Sequence, residues 1–557
     1  MTSDASTSDA PTGDAPTGEA PGPEASGPDA PSLDPIAGAV AKGYAFEGPA
    51  LELGRLVLAA DRLTEVPVRV PLAMLNRHGL IGGATGTGKT RTLQLVAEQL
   101  SAQGVPVFAA DVKGDLSGLA QPGRGGDKIT ARAASLGQQW HATGFPVEFY
   151  AIGGVGSGVP LRVTMSSFGP VLLSKVLGLN ATQESSLGLV FHYADRAGLP
   201  LLDLADLRAV LGHLVSDEGK AELKELGGLS PATAGVILRE LIGLQDQGAD
   251  AFFGEPEFDP ADLLTVTDDG RGQISLVELP QLQDRPAIFS TFLMWLLADL
   301  FHALPEVGDA DKPKLVFFFD EAHLLFADAS KAFLDQVAQT VRLIRSKGVG
   351  VFFVTQSPTD VPDDVLAQLG SRVQHQLRAH TPNEAKALKQ TVATYPTSGY
   401  ADLGAVLTSL GIGEAVVTVM DERGAPTPVA WTRLRAPESR MDPCDPDVVA
   451  ATVAASPRQA TYGVPVDRES AREILAAKLE QGASAASEPP RTPPGTSAGT
   501  AKPAEPARPR KPAGSPRPAK REPGVVEQVV TSSVFQDFMR TAAREVARGM
   551  FSTARRR

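Results

Sequence analysis

The stretch Gly83-Ala-Thr-Gly-Thr-Gly-Lys-Thr90 fits G-x-x-x-x-G-K-[ST] at every fixed position. It follows an apolar run ending at Ile81 and opens a helical segment from Arg91 to Leu100, the strand–turn–helix setting this pattern requires. Its glycines let backbone N–H groups turn inward as an anion nest at the positive end of a helix. Lys89 is spaced to reach the β- and γ-phosphates of a triphosphate, and the Thr90 hydroxyl to bind Mg2+. The expected nucleotide-binding set is Gly83, Ala84, Thr85, Gly86, Thr87, Gly88, Lys89 and Thr90, with ATP and Mg2+ as cofactors.

Working outward, such a loop needs a second element to manage metal and water. Leu315-Val-Phe-Phe-Phe319 followed by Asp320-Glu321 supplies it. A fully apolar run suits a central parallel strand, and its acidic end would lie at the carboxyl edge where ligands bind. Asp320 is expected to hold Mg2+ and Glu321 to orient and deprotonate water. Gln356, after Val351-Phe-Phe-Val-Thr355, is placed to sense the γ-phosphate. Asp111, in Asp111-Val-Lys-Gly-Asp115, reads equally as a site residue or a turn residue. A cation for developing charge could come from Arg342, Arg345 or Arg372, with Arg345 preferred as a finger.

The 557 residues carry 52 Lys+Arg and 65 Asp+Glu, a formal charge of −13. From Arg491 onward the balance reverses, with 14 basic and 5 acidic residues. An acidic body with a basic tail excludes a small DNA-coating protein but not local DNA contact. The single cysteine, Cys444, excludes intrachain disulfides and cysteine-based zinc sites. There is no 18-residue apolar run and no signal-peptide pattern, so no membrane partner and a cytoplasmic location are expected.

Acids recurring at Asp4, Asp9, Asp14, Glu19, Glu24, Asp29 and Asp34 mark residues 1–37 as a disordered leader. Alternating apolar runs and helical segments make residues 38–482 an α/β domain with a mainly parallel sheet. Within it, about 167–250 reads as an all-α insertion, one helix opening at Asn180 with Gln183 completing a capping box. Residues 483–524 read as a Pro/Ala/basic linker. Residues 525–557 carry one apolar stripe at helical spacing and read as an amphipathic helix.

Asp320-Glu321-Ala-His323 spells the DEAH box, but that superfamily needs two lobes and a late Q-x-x-G-R-x-G-R motif, which is missing. The order of Arg77–Thr90, Asp111–Asp115, the strand ending in Asp320-Glu321, and Thr355-Gln356-Ser-Pro resembles the HerA/FtsK P-loop ATPases instead. The chain is most similar there to the bacterial HerA-like, YjgR-like proteins, over about residues 38–480. The resemblance implies a RecA-like core, a homo-oligomeric ring of usually six subunits, and ATP-driven movement on duplex DNA. It supports Lys89, Thr90, Asp320, Glu321, Gln356 and Arg345 in the roles given above. HerA itself carries a β-barrel before its P-loop, and about 40 ordered residues before Gly83 are too few for one. Two other readings stand beside the motor: an ATP-gated assembly switch acting on an unknown protein partner, and a small-molecule phosphotransferase.

Overall fold

The computed structural model describes residues 34–487 except 59–61, 224–226, 281–285, 309 and 327–330. The leader up to residue 33, the linker from 488 and the helix expected over 525–557 lie outside the described residues. Both inner boundaries move. Asp34 caps helix Pro35–Gly43, its Oδ1 accepting from the Ile36 amide at 2.9 Å, because Ala37 and Val40 find an apolar surface to bury against. At the other end, helix Ala471–Ser487 runs past residue 483.

Twelve strands form one sheet among the described residues. They are β1 Ala50–Val57, β2 Leu63–Pro71, β3 Gly79–Gly82, β4 Val107–Asp111, β5 Val147–Ile152, β6 Val159–Leu161, β7 Ile274–Glu278, β8 Leu315–Phe319, β9 Val349–Thr355, β10 Ser371–Gln374, β11 Glu414–Thr418 and β12 Ala430–Leu434. Their order is β2-β1-β12-β11-β10-β3-β9-β8-β4-β7-β5-β6. Every pairing from β10 to β6 is parallel, and the four from β10 to β2 are antiparallel. The glycine-rich loop leaves β3, and the acid pair leaves β8, two strands away with β9 between.

The central strands are covered on both faces, which is why they read as continuous apolar runs. In β8, side-chain alternation sends Phe317 and Phe319 to one face, where Phe108 lies 4.8 and 6.4 Å away between ring centres. Phe318 faces the other side, 5.3 Å from Phe352. On the first face, helix Pro286–Ala303 places Phe292 6.4 Å from Phe108 between ring centres, and Leu187, Leu207 and Ile237 of the helices of residues 165–246 belong to the same core. Helix Lys89–Ala102 covers the second, packing Leu93 and Val96 against Ile81 and Phe318. Helix Ala181–Arg196 begins with the full capping box: Asn180 accepts from the Thr182 and Gln183 amides, and Gln183 accepts from Asn180.

The short stretch before the P-loop extends the sheet. The β1–β2 hairpin joins at β12, with Gly54 opposite Leu434. A Cβ on Gly54 would stand 2.0 Å from the Arg433 carbonyl oxygen, so only glycine permits this approach.

Candidate nucleotide site

Three glycines of the loop, Gly83, Gly86 and Gly88, adopt positive φ, the geometry that turns amides inward. Lys89 is buried at the start of its helix and folds back over the loop, donating to the Gly83 carbonyl at 2.7 Å and the Ala84 carbonyl at 3.2 Å. Burial lowers its pKa, partly offset by the charges of Glu321 and Asp320. The amine thus sits where phosphate oxygens could replace the two carbonyls.

The loop is held from outside by groups that motif reading did not reveal. The Ala84 amide donates to the Gln376 carbonyl at 2.8 Å, and Arg378 Nη2 to the Thr85 carbonyl at 3.3 Å. On the far side, the Gly413 amide donates to the Thr87 carbonyl at 3.2 Å. His375 is fully buried behind the loop, its Nε2 2.8 Å from Thr92 Oγ1. Burial, and then the nearby Lys89 charge, push its pKa down to about 3, so the ring is neutral.

The acid pair opens at the same sheet edge. Asp320 is 2% exposed; its Oδ1 accepts from the Glu321 amide at 2.9 Å, and its Oδ2 has no hydrogen-bond partner. Burial, reinforced by the Glu321 charge, pushes the Asp320 carboxyl up to about 7. A buried oxygen without a partner is costly, and a divalent cation shared with phosphate oxygens would satisfy it. The residues present therefore fit Mg2+.

Glu321 has φ +47, a strained conformation for a non-glycine residue. Its Oε1 pairs with Lys113 Nζ, and its Oε2 lies 3.2 Å from His323 Nδ1. Burial raises its pKa, but Lys113, then His323 and Lys89, more than offset this and leave the carboxyl below its usual range. Glu321 is thus ionised, the form a general base needs. Lys113 lies in the Asp111–Asp115 segment, whose sequence alone assigns it no role. Only the fold shows that this segment meets β8.

Asp111 caps that segment. Its Oδ1 accepts from the Gly114 and Asp115 amides at 2.7 and 3.2 Å, and its Oδ2 from the Leu116 amide at 2.8 Å. With both oxygens engaged, the geometry is that of a turn. Gln356 is exposed at the end of β9 and lines a cleft of about 500 Å³ with Ala84, Thr85, His323 and Arg378. Arg372 donates to the Thr394 carbonyl at 3.2 Å and lies over the Tyr395 ring at 5.9 Å. Arg345 precedes the start of β9, at the sheet edge opposite the P-loop.

The model of the helicase HerA-like C-terminal family matches residues 57–557. The chain belongs to this family. As a HerA-like protein it is a P-loop ATPase of the HerA/FtsK class. No curated protein matches it. Among solved structures, it is similar to the unbound bacterial conjugative coupling protein TrwBΔN70 at 15% identity and TM-score 0.47, covering 73% of this chain and 94% of that one. TrwB in complex with ADP and Mg2+ gives 16% identity and TM-score 0.46, covering 71% and 98%. VirB4 of Thermoanaerobacter pseudethanolicus gives 14% and 0.43, covering 70% and 97%. Among the described residues of this HerA-like chain, no helix is long and apolar enough to cross a membrane.

Proposed function

We propose that this HerA-like chain hydrolyses ATP with Mg2+ as a ring of identical subunits, six in the usual form of its class, and couples turnover to translocation along, or unwinding of, DNA in the cytoplasm. The observation that carries the ATPase reading is the buried acid pair opening at the same sheet edge as the glycine-rich loop, with Asp320 Oδ2 lacking a partner. The loop amides and Lys89 bind the phosphates. Thr90 and Asp320 would hold magnesium, which when bound would supply neutralisation of the negative charge that develops on the triphosphate. Glu321 takes a proton from water as that water attacks the γ-phosphorus, and ADP leaves. Gln356 reports the γ-phosphate to the cleft it lines.

The DNA reading is supported by family membership and by the basic segment after Arg491. The deciding experiment is ATPase activity with and without duplex DNA across a salt series. Stimulation that falls steeply with salt supports the motor. Nucleotide-dependent assembly without DNA stimulation indicates the gated scaffold instead, which the acidic body favours: 60 Asp+Glu against 38 Lys+Arg through Pro490. ADP release requiring a small acceptor would indicate a phosphotransferase.

A further inference from the structure

The turn Gly411-Ile412-Gly413 leads into β11 beside the glycine-rich loop. Ile412 is 77% exposed, the highest value among the described large aliphatic side chains. An exposed isoleucine alone is ordinary; here its backbone is fixed on several sides. Arg132 donates to the Ile412 carbonyl at 2.9 Å and to the Gly413 carbonyl at 3.1 Å. The Leu434 amide donates to the Gly413 carbonyl at 3.0 Å, and the Gly411 amide to Glu414 Oε2 at 3.1 Å. The Gly413 amide reaches the Thr87 carbonyl at 3.2 Å. A Cβ on Gly88 would lie 3.5 Å from the Gly413 nitrogen, so turn and loop are in van der Waals contact.

The sheet order says which end of a ligand meets this turn. Gln356 and the acid pair lie on the β9–β8 side of β3; the turn lies on the β10–β11 side, at the same edge because β11 runs antiparallel to β10. A triphosphate with its terminal phosphate against Asp320-Glu321 therefore directs its nucleoside end toward Ile412. We infer that Ile412 is the apolar platform on which the base of the bound nucleoside triphosphate lies. The inference rests on the nucleotide-binding reading above and adds the residue that holds the base.

The test is equilibrium binding of Mg-ATP and of Mg-tripolyphosphate, which lacks a nucleoside, to the full chain. Ile412→Ser weakens ATP about tenfold, the loss of one aliphatic contact with the base, and leaves tripolyphosphate unchanged. Ile412→Leu restores ATP affinity. Lys89→Ala weakens both ligands, which places them in the loop. If Lys89→Ala does so while Ile412→Ser binds ATP as well as the parent, the platform is overturned and the loop reading survives. Equal weakening of both ligands by Ile412→Ser, or a change only in oligomeric state, also overturns it. If Lys89→Ala binds both ligands as tightly as the parent, the loop reading falls and the platform with it.

Discussion

In the proposed mechanism the acid pair Asp320-Glu321 divides its tasks through unequal surroundings. Asp320 accepts one hydrogen bond, from the Glu321 amide, whereas Glu321 is paired with Lys113 and lies beside His323. Glu321→Gln keeps the shape and removes the base, so hydrolysis should fall by about a hundredfold or more, with ATP affinity close to the parent's. Single-turnover hydrolysis together with equilibrium binding checks this; normal turnover would remove Glu321 from its role. His375 gives a pH prediction. Its pKa is about 3 in the fold against 6.5 in the unfolded chain, so below 6.5 the unfolded chain binds more protons. The stability it contributes is complete above pH 6.5 and declines on acidification toward 3, by about 1.4 kcal/mol per pH unit. His375→Asn cannot titrate. Its melting temperature should fall less than the parent's between pH 7 and pH 5.5, as calorimetry at both pH values would show.

At the level of elements, strands buried on both faces were legible and half-exposed ones were not. β3, β4, β8 and β9 carry uninterrupted apolar runs, and β5 and β7 are broken only by the buried Glu148 and Ser275, because neither face meets water. β1 and β2 mix Glu52, Arg55, Thr64, Glu65 and Arg69 with apolar residues, and Pro67 interrupts β2, so neither period nor composition declares a strand. The same contrast runs through the site. The P-loop and the acid pair are contiguous in sequence and therefore readable. The clamp of Gln376, Arg378 and Gly413 on the loop exists only after the chain has brought residues about 300 positions apart together. The hairpin's place in the sheet carries its own prediction. Gly54→Val drives a side chain into the Arg433 carbonyl and should cost about 3 kcal/mol. A lower denaturant midpoint would report this; an unchanged midpoint would mean that the hairpin is not part of the cooperative unit.

For the whole molecule, the decisive constraint is that a parallel sheet has two distinct edges. β9 starts just after Arg345 and ends just before Gln356, so its seven residues put about 20 Å between the arginine and the γ-phosphate edge of its own subunit. Arg345 can therefore act as a finger only on a neighbour's nucleotide. This makes a ring testable without imaging one. Arg345→Ala and Glu321→Gln should each be nearly inactive alone, the first lacking the cation and the second the base. When the two are mixed and allowed to exchange subunits, an Arg345→Ala subunit with its intact Glu321 can sit beside a Glu321→Gln subunit that offers its intact Arg345. Complete sites then form at those junctions, and ATPase activity should return to a measurable fraction of the parent's. If activity does not return although subunit exchange is confirmed by labelled protein, Arg345 is not the shared residue. Recovery would establish at once that the site lies between subunits and that the arginine crosses the junction.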